Sequence, residues 1–262
     1  MADEQIAISI RGVSKTYDGG ASHAVRDIWL DIRAGEFVVI VGESGSGKTT
    51  LLKTINRLID PTTGTVRTFD TDVTSVDPTQ LRRSIGYVFQ EVGLFPHLTV
   101  AENIAITPKL LGWDAATIAA RVNELLDLVR LSREIAERFP DTLSGGQRQR
   151  VGVARSIAAR PRIMLMDEPF GAVDPITREA LSDDYRSLHS ALQLTTVMIT
   201  HDVLEAVLLA DRVAVMQDGR IVDEGTPHDL LTASKHDYVR ELMAKPRRQA
   251  DRVAALAAEA AK

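Results

Sequence analysis

The stretch Phe37-Val38-Val39-Ile40-Val41-Gly42-Glu43-Ser44-Gly45-Ser46-Gly47-Lys48-Thr49 constrains the fold more than any other. Its first five residues form a continuous apolar run, the pattern of a strand covered on both faces. The chain then turns through a glycine loop and enters a helix at Thr50-Leu51-Leu52-Lys53-Thr54-Ile55. Buried strand, loop and helix in that order are the context a phosphate-binding loop requires, and Gly42-x4-Gly47-Lys48-Thr49 matches its pattern in full. Glycines let the backbone curl so that N–H groups point inward at phosphate oxygens, and the helix adds the positive end of its dipole. Lys48 is suited to neutralise β- and γ-phosphates, and the Thr49 hydroxyl to ligate Mg²⁺. A chance Gly/Ser-rich turn would lack that context.

Further along, Ile163-Met164-Leu165-Met166 and Thr195–Thr200 read as two more buried strands. Ile28, Leu30 and Ile32 alternate with Trp29 and Asp31, as in a half-buried antiparallel strand. Asp218-Gly219 signals a hairpin between Val213–Met216 and Ile221-Val222. Strands alternating with helices imply a parallel α/β core. From about Pro96 to Arg160 the pattern is helical only, with capping-box spacing at Thr99-Val100-Ala101-Glu102. Asp174-Pro175 starts another helix, Asp as N-cap and Pro at its first position. The stripe Ile176, Ala180, Leu181, Tyr185, Leu188 and Leu192 is expected to face the core.

The chain of 262 residues suits one large α/β domain, or a core with a small subdomain. A net charge of −5 does not point to nucleic acid. With no cysteine, disulfides and Cys-ligated metals are excluded, which suits the cytosol. Met1-Ala2-Asp3-Glu4-Gln5 lacks the apolar segment of a secretory signal. No apolar run approaches the roughly 20 residues of a membrane span, so any membrane role is expected to run through a partner.

Asp167 and Glu168 follow the apolar strand Ile163–Met166, which places both acids at the C-terminal edge of the sheet, where ligands of α/β folds collect. Asp167 can hold the Mg²⁺ shell, and Glu168 can act as general base toward an attacking water. His201, just past Thr195–Thr200, reaches the same edge. The histidines at 23, 97, 189, 228 and 236 have no such placement.

Between the loop and the acids lies Leu143-Ser144-Gly145-Gly146-Gln147. Ser144-x-x-Gln147 has capping-box spacing and could simply start the helix through Val151-Gly152-Val153-Ala154-Arg155; a helix N-terminus with two glycines is also an anion site. In the order loop, pentapeptide, acids, the chain from about Ile6 to Met243 resembles the ATP-binding cassette of ABC transporters.

That resemblance implies a P-loop NTPase (RecA-like) α/β fold: a mostly parallel sheet core, an N-terminal antiparallel β subdomain and an inserted helical subdomain. Residues 1–245 would form the ATPase domain, with core and β subdomain over 1–95 and 161–245 and the helical part over 96–160. Residues 246–262 would be a loosely attached helical or flexible tail. The ligands implied are ATP and Mg²⁺. Nucleotide would be held by Gly42, Glu43, Ser44, Gly45, Ser46, Gly47, Lys48, Thr49 and Thr50, with Tyr17 either stacking on adenine or packing at a strand edge. Gln90 matches the glutamine that contacts Mg²⁺ and senses the membrane partner, and Thr49 and Asp167 complete the metal set. In the family, Ser144, Gly145, Gly146 and Gln147 bind the γ-phosphate of ATP held by a second cassette, and Asp174 matches the D-loop aspartate. A second ATP-binding subunit, read as a second copy of this chain, is therefore implied, with permease subunits and, through them, a substrate-binding protein. The location implied is peripheral, on the cytoplasmic face of the cell membrane.

Ile55-Asn56-Arg57-Leu58-Ile59-Asp60-Pro61 and Gln90-Glu91-Val92-Gly93-Leu94-Phe95-Pro96-His97 resemble the branch that imports glycine betaine, choline and carnitine. Import of amino acids or lipids, or a soluble role outside transport, are the other readings. Many members of the branch carry C-terminal CBS modules; with only a short tail after Pro246, regulation of that type is expected to be absent or to reside in a partner.

Overall fold

The computed structural model describes residues 5–17, 20 and 22–260, with side chains unassigned at 253 and 255–260. Most of the N-terminal segment read above for a secretory signal lies outside the described residues.

Two sheets form the scaffold. The first is antiparallel, in the order β2 (Ser22–Arg33), β1 (Ile6–Tyr17), β4 (Thr63–Thr68), β5 (Thr71–Asp72). The second has six strands in the order β10 (Arg220–Gly225), β9 (Arg212–Gln217), β3 (Phe37–Val41), β8 (Thr195–Thr200), β7 (Ile163–Asp167), β6 (Ile85–Val88). Only the β10–β9 pairing in it is antiparallel. That hairpin turns at Asp218 (φ 47°) and Gly219 (φ 80°), the two left-handed positions an Asp-Gly turn supplies.

The helices are α1 (Lys48–Ile55), α2 (Pro78–Ser84), α3 (Val100–Leu110), α4 (Ala115–Leu128), α5 (Gly145–Ile157), α6 (Pro175–Leu192), α7 (Val203–Leu209), α8 (Pro227–Thr232), α9 (Asp237–Met243) and α10 (Lys245–Ala260). Helices α3 to α5 and two short 3₁₀ turns fill the expected all-helical stretch. Thr99 and Glu102 close the anticipated capping box at α3. None of the described helices is long and apolar enough to cross a membrane.

The central strands separate two apolar cores. Phe37, Val39 and Val41 enter one core while Val38 and Ile40 enter the other. Met164 and Met166 of β7 likewise oppose Ile163 and Leu165. This two-sided burial is why these strands read as unbroken apolar runs, and each such side chain contributes about 1.5–3 kcal/mol. One core lies between the two sheets around α1; the other gathers the larger helices.

One expectation fails on α6. Leu181, Tyr185 and Leu188 are buried and Leu192 is half-buried, but Ile176 is 83% exposed and Ala180 is also exposed. The exposed positions fall in the first two turns of α6, and burial begins at Leu181.

Candidate nucleotide-binding and hydrolysis site

Four parallel strands deliver their C-terminal ends to one edge. β3 ends in the glycine loop, β6 precedes Gln90, β7 ends in Asp167 and β8 precedes His201. The shared direction of these strands places groups distant in sequence within reach of one another.

The loop winds tightly around its own lysine. Lys48 Nζ donates to the carbonyls of Gly42 and Glu43, each at 2.8 Å, and lies 3.5 Å from Ser46 Oγ. Burial lowers the Lys48 pKa, while the carboxylates of Glu168 and Asp167 oppose that shift and favour the charged ammonium. Gly47 has φ 99°, and a Cβ there would sit 2.0 Å from the Ala24 carbonyl. A Cβ on Gly42 would meet the Met216 carbonyl at 2.1 Å. Both positions are closed to larger residues. Helix α1 has no side-chain cap at its N-terminus. Its first amides therefore remain free to hold an anion, reinforced by the helix dipole.

Thr49 Oγ1 donates to Asp167 Oδ1 at 3.2 Å, and the Tyr87 hydroxyl donates to Asp167 Oδ2 at 3.4 Å. Burial raises the Asp167 pKa; the Thr49 hydrogen bond, Lys53 and Tyr87 pull it back. Glu168 adopts a left-handed backbone (φ 45°), which non-glycine residues rarely hold without a surrounding structure that enforces it. Its amide donates to the Ile199 carbonyl at 3.0 Å. Its Oε2 lies 3.0 Å from His201 Nδ1 and accepts from Gln90 Nε2 at 3.4 Å. Lys48, Thr49, Asp167, Glu168, Gln90 and His201 thus converge, combining an anion cradle, hard oxygen donors and a carboxylate steered by two partners. Such a group can bind a polyphosphate and activate water beside it.

Tyr17 stands at the end of β1, 41% exposed, with Lys15 Nζ 5.4 Å from its ring centroid. It pairs with Ser22 of β2, the strand whose Ala24 carbonyl lies against Gly47.

Ser144, Gly145, Gly146, Gln147 and Asp174 form a separate group. Ser144 Oγ accepts the Gln147 amide at 3.2 Å, and Gln147 Oε1 accepts the Ser144 amide at 3.0 Å, so the capping box is complete. Asp174 caps α6 through Thr177, whose hydrogen bonds hold the carboxyl below its ordinary range. A Cβ on Gly146 would lie 2.7 Å from Thr177 Cγ2, so α5 and α6 start in contact. No hydrogen bond among the described residues joins this group to the Lys48 loop or to Glu168.

Several contributors carry no sequence signal. Tyr238 of α9 accepts the Glu43 amide at 3.2 Å from 195 positions away. Arg155 of α5 donates to the carbonyls of Val92 (2.6 Å) and Gly93 (2.7 Å), fastening the segment after Gln90 to the helix that begins at Ser144. Tyr87 belongs to a strand pattern that gives no hint of a hydroxyl aimed at Asp167.

Fold and loop together define the phosphate-loop nucleotide-binding class. Residues 25–171 match the ABC transporter family, and this chain belongs to it. It is 49% identical over 235 residues to the carnitine transport ATP-binding protein OpuCA of Listeria monocytogenes, covering 90% of this chain and 59% of that protein. It is 45% identical over 238 residues to the glycine betaine uptake system ATP-binding protein YehX of Escherichia coli, covering 91% and 77% respectively. Among solved structures, the dimeric ATP-binding cassette MJ0796 in a post-hydrolysis state with ADP and Pi is similar at TM-score 0.75 and 34% identity, over 84% of this chain and 98% of that one. The chain thus spans about three fifths of the length of the carnitine relative.

Proposed function

We propose that this chain is the ATP-hydrolysing subunit of an importer for quaternary-amine osmoprotectants, of the glycine betaine, choline or carnitine type. The observation that carries the ATPase reading is the convergence of His201 and Gln90 on one oxygen of Glu168, beside a glycine loop built around Lys48. In this reading the loop from Gly42 to Thr50 holds the phosphates and Tyr17 meets the adenine. Glu168 takes a proton from water as the water oxygen attacks the γ-phosphorus, and ADP leaves. His201 orients Glu168 and contacts the γ-phosphate. Thr49, Asp167 and Gln90 would hold Mg²⁺; the paired hydroxyl and carboxylate suit a hard cation, which would neutralise phosphate charge.

The substrate class rests on the two relatives, one described for carnitine and one for glycine betaine. Ser144, Gly145, Gly146, Gln147 and Asp174 would serve the nucleotide of a second copy across a two-fold interface. Permease subunits would dock where Phe89 and Phe95, each 45% exposed, flank the Gln90 segment. The chain would then lie peripherally on the cytoplasmic face of the membrane. The test is to copurify the complex and titrate its substrate-binding subunit with quaternary amines, amino acids and lipids. Binding of a quaternary amine that also stimulates ATP hydrolysis is expected; response to amino acids or lipids alone would overturn the substrate class and leave the ATPase intact.

A further inference from the structure

At the opposite, N-terminal end of strands β6 and β7 lies a cavity of about 730 Å³, far along those strands from Asp167. Its wall includes Arg83 of α2, Arg160 and Arg162 before β7, and Phe69, with Leu110 and Leu111 at the end of α3. Among the described residues that line it there is no carboxylate, although the whole chain carries a net charge of −5. Three guanidiniums are thus gathered against the sign of the molecule.

These arginines are only lightly paired. Arg83 Nε is buried with no hydrogen-bond partner. Arg160 reaches Glu124 only at 4.0 Å and lies 6.0 Å from the Trp113 ring centroid. Arg162 lies over the Phe69 ring, its Cζ 3.8 Å from the ring centroid, and donates to Gln5 Oε1 at 3.3 Å. A guanidinium fork matches the oxygens of a phosphate in pairs, and three lightly paired guanidiniums lining one cavity leave that capacity unused. The close contact with Phe69 restrains the Arg162 side chain in advance, which lowers the entropy lost on binding.

We propose that this cavity is a second anion site, distinct from the Lys48 loop, that binds a phosphate-bearing compound through Arg83, Arg160 and Arg162. A multiply charged phosphate suits three guanidiniums lining one cavity better than a single carboxylate does, which one arginine satisfies. The phosphate can belong to a soluble compound or to a lipid headgroup, and the exposed Leu110 (55%) and Leu111 (44%) give the rim an apolar side compatible with either. This assignment does not depend on the transported substrate.

The test uses the full chain and inorganic pyrophosphate as probe, read by amide hydrogen exchange. Slowed exchange is expected at 80–85 and 159–163 as well as at the Lys48 loop. In the triple variant Arg83→Gln, Arg160→Gln, Arg162→Gln, affinity at the first two segments should fall about tenfold or more. Protection of the Lys48 loop should persist, which also reports that the variant is folded. Arg83→Lys, which keeps the charge but loses the fork, should fall between. In parallel, vesicles of phosphatidylcholine with phosphatidylglycerol are compared with phosphatidylcholine alone. Cosedimentation with the anionic vesicles that the triple variant loses, without a pyrophosphate effect, assigns the phosphate to a headgroup. Silence in both arms, or binding that the triple variant leaves unchanged, overturns the proposal.

Discussion

At the scale of single residues, the proposed chemistry centres on Glu168. Its left-handed backbone and its bonds to His201 and Gln90 aim a single carboxylate oxygen. If Glu168 is the base, as proposed, Glu168→Gln keeps the shape and removes it, so kcat should fall by about 10²–10⁴-fold while ATP still binds. Steady-state hydrolysis alongside equilibrium nucleotide binding measures both. His189, by contrast, is structural. It lies buried on α6, its Nδ1 2.9 Å from Thr196 Oγ1 and its ring 5.0 Å from that of Phe37. Burial, then the charge of Arg186, depresses its pKa below the ordinary 6.5. A depressed folded pKa means the unfolded chain binds the proton more readily. The stability this group provides is therefore present above 6.5 and is lost as pH falls toward the folded value. Between about pH 7.5 and about pH 5.5, Tm of the wild type should drop more than Tm of His189→Gln.

At the scale of elements, the starts of α5 and α6 meet in a close contact. Gly146 leaves room for Thr177, and Thr177 also donates its amide to Asp174. Gly146→Ala should push the two helices apart and cost about 1–3 kcal/mol, read by denaturant unfolding together with loss of hydrolysis. Thr177→Ala removes the opposing methyl and should restore part of that loss in the double variant, a coupling that independent sites would not show. The elements themselves were mostly legible. The runs at Phe37–Val41 and Ile163–Met166 announced strands buried on both faces, and two polar caps, Thr99 and Ser144, announced helix starts. Ile176 and Ala180 were misread because helical periodicity reports a repeating face but not how far the core extends beneath it. Tyr238 against Glu43 and Arg155 against Val92 and Gly93 were illegible for another reason. They join positions far apart in the chain through the backbone, and a backbone acceptor or donor leaves no mark on residue type.

At the scale of the whole molecule, the candidate site divides in two. Lys48, Thr49, Asp167, Glu168, Gln90 and His201 meet at one sheet edge, whereas Ser144–Gln147 complete their capping box and Gly146 lies against Thr177 at the start of α6. Ser144 and Gly145 are exposed, as is Ile176, a large apolar side chain at the start of the neighbouring α6. A second copy would bring the nucleotide held by its own Lys48 group against Ser144–Gln147 and cover this face. The unit of function proposed here is accordingly a pair of chains that ATP closes and hydrolysis reopens.

The most direct measurement of that claim is sedimentation of Glu168→Gln with saturating ATP, compared with the double variant Glu168→Gln, Ser144→Arg. The single variant should sediment at twice the monomer mass with ATP and as a monomer without it. The double variant should bind ATP with unchanged affinity and remain a monomer. A Glu168→Gln chain that stays monomeric at saturating ATP, or a double variant that dimerises as well as the single one, would contradict the account.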